Sequence, residues 1–157
     1  MDKKTISGMG SSIKQNWETP VQFFNELNKE FGFTLDPCAE VSTAKVNKFY
    51  SKEDNGLIQS WANEICFINP PYNNQKQFIE KAINEKINGC LSVCLIPART
   101  DTKLFHDLLV PNCEIRLIKG RIKFKSDGEL KNSPFFPSML VIIGKDIKPK
   151  ITTYNKT

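Results

Sequence analysis

The chain reads as an α/β domain built on a mostly parallel sheet, with an antiparallel hairpin toward its C-terminal end. Two observations carry that expectation. Short apolar runs of strand length alternate with segments whose apolar residues recur at the helical period, a pattern that favours parallel strands joined by helices. The last two runs follow one another across a polar loop with no helix between them, which suits a hairpin. At 157 residues the chain is sized for one domain, and 39% hydrophobic with 25% charged residues is an ordinary globular balance.

The elements follow in order. Residues 1–16 are polar, with two Gly and three Ser, and read as a flexible arm. Thr19-Pro20 opens a helix, Thr as N-cap and Pro at the first helical position; Phe23, Phe24, Leu27 and Phe31 form its apolar face and Gly32 stops it. Phe33-Thr34-Leu35 is a short strand ending in Asp36-Pro37-Cys38-Ala39. An irregular stretch follows, with the turn Glu53-Asp54-Asn55-Gly56 and one helical turn over Leu57–Trp61. Ile65–Ile68 is a buried strand that stops at Asn69-Pro70-Pro71-Tyr72, and a helix runs from about Gln75 to Asn88 with Gly89 as its cap. Cys90–Ile96 is the next strand, leading into Pro97-Ala98-Arg99. A helix around Thr102–Leu109, a strand Glu114–Ile118, and two later strands, Lys119–Phe124 and Met139–Ile143, complete the domain over residues 17–145. Residues 146–157 read as a basic, frayed tail.

Charge is unevenly distributed. Residues 1–98 hold 10 Lys/Arg and 11 Asp/Glu, whereas residues 99–157 hold 12 and 6. A net +6 on the C-terminal third suits a polyanionic partner, or else a solvated lysine-rich surface. No apolar run is long enough to span a bilayer and the first residues are polar, so a cytoplasmic protein without membrane association is expected. Five cysteines without a Cys-x-x-Cys, and a single histidine (His106), argue against a disulfide framework and against a metal site.

In open α/β sheets, ligands bind beyond the carboxyl ends of the strands. Asn69-Pro70-Pro71-Tyr72 is the most specific signature at such an end. Two prolines cannot continue a ladder, and they hold the Asn side chain and the neighbouring carbonyls in one geometry beside a flat ring. Two acceptors next to an aromatic face suit a planar amino-heterocycle. Accepting hydrogen bonds from its amine favours pyramidal nitrogen, and so the attacking geometry. Asn69 is neutral and would position rather than act as a strong base.

With these residues in hand, the chain resembles the S-adenosylmethionine-dependent amino-methyltransferases, whose signature is Asp/Asn/Ser-Pro-Pro-Tyr/Phe/Trp. It is more closely similar to the phage-associated DNA adenine methyltransferase (Dam) family. The similarity runs over about residues 16–144: Trp17-x-Thr19-Pro20, Leu35-Asp36-Pro37-Cys38-Ala39, Asn55-Gly56-Leu57 with Trp61, Asn69–Tyr72, Leu95-Ile96-Pro97-Ala98, Gly120-Arg121-x-x-Phe124 and Phe136-x-Ser138. The resemblance implies a compact Rossmann-like methyltransferase fold, S-adenosylmethionine as methyl donor, and transfer to the exocyclic amine of an adenine flipped out of double-stranded DNA. It implies catalytic roles for Asn69, Pro70, Pro71 and Tyr72, and donor contacts for Trp17, Thr19, Pro20, Asp36, Cys38 and Asp54. The loop after the first strand has no Gly-x-Gly, and only 32 residues separate Asp36 from Asn69, so one strand there is expected to be missing or abbreviated.

Several residues keep two readings. Trp17 either stacks near the donor or staples the first helix. Arg99 touches phosphate or pairs with Asp101. Lys119, Arg121, Lys123 and Lys125 alternate with apolar residues and form either a phosphate-facing stripe or a guarded sheet edge. RNA adenine, a protein glutamine amide, or a non-catalytic nucleic-acid-binding module are the alternatives to DNA. Sequence choice would come from short loops such as 127–137, or from a second subunit in a homodimer.

Overall fold

The computed structural model describes residues 18–126, 129–130 and 136–157. The expected arm 1–16 and Trp17 lie outside the described residues, as do 127–128 and 131–135 of the expected loop.

Helix α1 (Val21–Phe31) buries Phe23, Phe24 and Leu27 and ends at Gly32, whose φ of 69° is the left-handed conformation that glycine adopts without penalty. Thr19 does not cap it. Pro20 holds the cap position, and no side-chain hydrogen bond closes the first turn. The strand expected at Phe33–Leu35 is reduced to bridges, Leu35 with Cys66 and Asp36 with Phe49. Between Asp36 and Ile65, where the short spacing implies a missing or abbreviated strand, the Phe49 end of the second bridge is all the strand pairing there is.

Five strands form the sheet: β1 (Ile65–Ile68), β2 (Leu91–Pro97), β3 (Glu114–Ile118), and, after a two-residue antiparallel pair β4 (Lys125–Ser126) and β5 (Glu129–Leu130), β6 (Ser138–Ile143) and β7 (Lys150–Tyr154). Their order is β1-β2-β6-β3-β7. β1 and β2 are parallel, as are β3 and β7, while β6 runs antiparallel to both β2 and β3. Four strands therefore point one way with one reversed strand among them, an α/β arrangement compatible with a Rossmann-like methyltransferase fold.

Two expectations need correction here. Among the described residues the expected C-terminal hairpin does not form. Residues 119–124 form no strand, and β6 pairs with β3 and with β2 instead. A strand whose six residues are all buried gains more at the sheet's centre, between two neighbours, than at an edge. The supposed frayed tail contains β7, whose Lys150 ammonium lies 3.4 Å from Glu114 and whose Tyr154 hydroxyl donates to Glu26 of α1 at 3.3 Å. Backbone pairing with β3 and these contacts hold the segment down.

Helices cover both faces. α1 packs Phe24 edge-to-face on Phe67 (centroids 5.1 Å apart) above Val93, Leu95, Leu140 and Ile142. On the other face, α2 (Gln75–Glu85, extended by a 3-10 turn to Asn88) brings Phe78, Ile79 and Ala82 onto Cys66, Ile68 and Cys94. Beside it, the segment expected as a helix over 102–109 is a π-helix, Leu104–Leu109, that buries Phe105 and Leu109. His106 lies 2.7 Å from the Thr100 carbonyl through its ring nitrogen, a local structural contact.

Candidate functional site

The carboxyl ends of the bridge at Leu35, of β1 and of β2 lie side by side, and so do the three signatures that follow them. Alternation along β1 turns Asn69 to the same face as Phe67, the face covered by α1. The residue leading into α1 is Thr19, which is 3% exposed, and its Oγ1 accepts a hydrogen bond of 3.2 Å from Asn69 Nδ2. Thr19 thus fixes which way the Asn69 amide faces. Pro70 is buried, Pro71 is extended (φ −62°, ψ 145°), and the chain enters a 3-10 turn at Tyr72–Asn74 before α2.

A cleft of about 310 Å³ opens on one side of Asn69. Thr19, Asp36, Cys38, Asn69 and Pro71 line it, with Glu18 and Lys45 near its mouth and Leu57 and Phe78 as apolar wall. On the other side lies a slot of only about 10 Å³, bounded by Pro70, Tyr72, Leu95, Pro97, Phe124 and Phe136. Asn69 borders both.

The loop Asp36–Ala39 forms the floor of the cleft, and two supports hold it. Asp36 and Tyr50 exchange backbone bonds with the passing segment (Asp36 N–H to Lys48 O, 3.0 Å; Tyr50 N–H to Asp36 O, 2.9 Å). Below it, Trp61 is fully buried, stacks on Phe78, and donates from Nε1 to the Gly56 carbonyl at 2.9 Å. Gly56 lies so close to Pro37 that a Cβ there would overlap the Pro37 carbonyl oxygen. The Asn55-Gly56-Leu57…Trp61 motif is therefore scaffolding for the loop.

Burial pushes the Asp36 carboxyl up to about 7, against the bond from the Cys38 N–H (3.2 Å) and the charge of Lys45. Lys45 itself pairs with Glu18 at 2.9 Å. The Cys38 thiol is likewise pushed well up, by burial and by the Asp36 charge, so it stays protonated. Tyr72 is pushed up to about 12, again by burial, and packs edge-on to Phe136 at 5.6 Å. The Arg99 guanidinium lies over the same Phe136 ring at 5.7 Å, a cation–π contact in place of the expected pairing with Asp101. Asp54 does not line the cleft. Its carboxylate accepts from the Ser51 N–H (2.9 Å) and hydroxyl (3.0 Å), capping its own turn. Pro20 is half-buried at the start of α1 and does not line the cleft either.

A half-buried Asn69 thus stands between a large cleft and a small aromatic slot. Residues 7–157 match the family described as DNA N-6-adenine-methyltransferase (Dam). The chain belongs to the Dam family. It is 32% identical over 145 residues to the DNA N-6-adenine-methyltransferase of Haemophilus phage HP1 (strain HP1c1), an alignment covering 88% of this chain and 83% of that one. It is also 29% identical over 119 residues to the DNA N-6-adenine-methyltransferase of Escherichia phage T1, covering 74% of this chain and 50% of the relative.

In this Dam chain the basic stripe keeps its alternation without being a strand: Ile122 and Phe124 are buried while Lys119, Arg121 and Lys123 are exposed. Lys125 is half-buried, and its backbone pairs with Glu18 (2.9 and 3.0 Å). That pairing ties the stripe to the mouth of the cleft. Arg99 is exposed at the end of β2. The sequence reading missed Glu18 and Lys45, and it missed Phe136 as the partner of both Tyr72 and Arg99; the Phe136-x-Ser138 motif was its signal. Among the described residues, no three His, Cys, Asp or Glu side chains come together as a metal-binding group, and no helix is long and apolar enough to cross a membrane.

Proposed function

We infer that the chain transfers a methyl group from S-adenosylmethionine to the exocyclic amino group of adenine in DNA. The observation that carries this reading is Asn69, oriented by Thr19 and bordering both the cleft and the aromatic slot. The cleft suits the donor in size, since small-ligand sites begin near 300 Å³, and in chemistry. Asp36 is a buried carboxyl that accepts a backbone bond from the Cys38 N–H and has a raised pKa, the state of a group that a cationic ligand would return to ionised form. Glu18 adds a second carboxylate, and Leu57 and Phe78 offer apolar surface for a nucleoside ring.

Bound there, the donor supplies an electrophilic methyl group. The chain's own part is to bind, orient and exclude water. Asn69 Oδ1 and the Pro70 carbonyl accept the two hydrogens of the adenine amine, which localises its lone pair on nitrogen. Tyr72 stacks on the base and stays protonated well above neutral pH, so its ring carries no charge. The slot is too small for a base, so the Tyr72 and Phe136 rings move apart to admit one. The adenine reaches it by flipping from the duplex, at a cost of about a few kcal/mol, which the stack partly offsets. Arg99, Lys119, Arg121, Lys123 and Lys125 meet the phosphates of double-stranded DNA. A second copy of the chain would extend that contact.

The test is to incubate the protein with labelled S-adenosylmethionine and unmethylated duplex, beside Asn69→Ala, and digest the DNA to nucleosides. Label in methyladenine that the variant lacks is the expected result. Label in RNA or protein alone would move the acceptor, and absence of donor binding would leave a nucleic-acid-binding module.

A further inference from the structure

Ser138 opens β6 directly opposite Pro97 of β2. It is 1% exposed, and its Oγ has no hydrogen-bond partner; among the described residues it is the one buried side-chain oxygen or nitrogen in that state. Buried polar groups are almost always satisfied, and an orphan hydroxyl costs stability that alanine would not. The fold gives it no reason to be there. Alternation along β6 places Ser138 on the face of Leu140 and Ile142, which pack in one cluster with Leu95 and Phe124. Those last two residues, the strand partner Pro97, and Phe136 two positions earlier are walls of the small slot beside Asn69. The unpaired hydroxyl therefore stands just behind the wall of the slot that receives the base.

We propose that Ser138 is a base-reading residue, its hydroxyl donating a hydrogen bond to a ring nitrogen of the target adenine. The proposal rests on the methyl-transfer reading above. Asn69 and the Pro70 carbonyl recognise an amino group, but cytosine carries one too, so these two acceptors alone do not select adenine. A donor at the end of β6 adds contact with the ring itself. When the Tyr72 and Phe136 rings part to admit the base, Ser138 gains the partner it lacks in the closed slot, so the bond forms only with substrate present.

The experiment uses the full chain and duplexes carrying adenine, 1-deazaadenine, 3-deazaadenine or 7-deazaadenine at a target site first mapped on unmethylated plasmid DNA. Single-turnover rates are compared for wild type and Ser138→Ala. The expected result is a loss of roughly 10- to 100-fold on adenine for the variant, shrinking to within about two-fold on the one deaza duplex that lacks the bonded nitrogen. The variant's melting temperature should be no lower than wild type's, because it sheds an unpaired buried hydroxyl. Equal losses on all four duplexes, no loss on adenine, or a lowered melting temperature with a uniform loss would each overturn the assignment. A wild-type chain that methylates no adenine duplex would instead overturn the transfer reading, and this assignment with it.

Discussion

Thr19→Val is the sharpest probe of how the site is held. Valine keeps the shape of threonine and removes the oxygen that accepts the 3.2 Å bond from Asn69 Nδ2. Losing such a bond costs about 1 kcal/mol, rising toward about 3 kcal/mol if the orphaned donor is sealed from water. Thr19 is 3% exposed, but Asn69 is half-buried and borders an open cleft, so water can take the place of the lost acceptor and the cost stays near the lower figure. For a chain of this size that lowers the melting temperature by about 2–4 °C. On the proposed mechanism the same 1 kcal/mol holds the Asn69 carbonyl toward the base, and its loss corresponds to about five-fold in kcat. Donor affinity, measured by calorimetry, should hardly change, and Thr19→Ser should restore the rate. A variant with full kcat but weakened donor binding would refute the reasoning, because Thr19 would then serve the donor directly.

Three further outcomes are expected. With the Asp36 pKa raised from 3.8 to about 7, the folded chain holds a proton between those values that the unfolded chain has released. The contribution of Asp36 to stability is then full below about pH 4 and is lost as pH rises through 7. Asp36→Asn should flatten that fall in a melting series, and should remove the rise in donor affinity through pH 7 that calorimetry on wild type is expected to give. Gly56→Ala drives a methyl group into the Pro37 carbonyl, so it should cost about 2–4 kcal/mol in denaturant melts and weaken donor binding by shifting the Asp36–Ala39 loop. Arg121→Ala with Lys123→Ala should flatten the dependence of log DNA affinity on log salt by nearly two units, leaving donor affinity unchanged. A slope equal to wild type's would remove both residues from the phosphate contact.

What was legible in the sequence was local. Two prolines after an apolar run mark a strand end, and Gly32 and Gly89 stop their helices as expected, with φ of 69° and 81°. The Asp36 loop and the Asn69 quartet meet because both follow strands of the same direction, and that too was readable. What escaped depends on partners far along the chain. Thr19 looks like a helix cap until Asn69, fifty residues later, takes its oxygen. Asp54 looks like a ligand for the donor until Ser51 claims its carboxylate. β7 is polar and exposed on most of its residues, so no apolar pattern announces it, although Ile151, Thr152, Thr153 and Tyr154 all favour strands. The place of β6 is a matter of topology, and a local reading pairs it with the preceding run rather than with β3.

The reversed strand also governs the order in which this protein can assemble. β1 with β2, and β3 with β7, are two separate parallel pairs, and only β6 joins them. Until residues 138–143 leave the ribosome and insert, β2 and β3 each show an open, apolar edge, and the pairs that close the gap are 22 to 28 residues apart on one side and 41 to 51 on the other. Such long-range closure is slow, and the half-formed sheets are the species most prone to pair with other chains. Phe136 and Ser138 arrive with that same strand. The slot beside Asn69 is therefore walled in the step that joins β2 to β3, with the edge strand β7 still to follow in the chain.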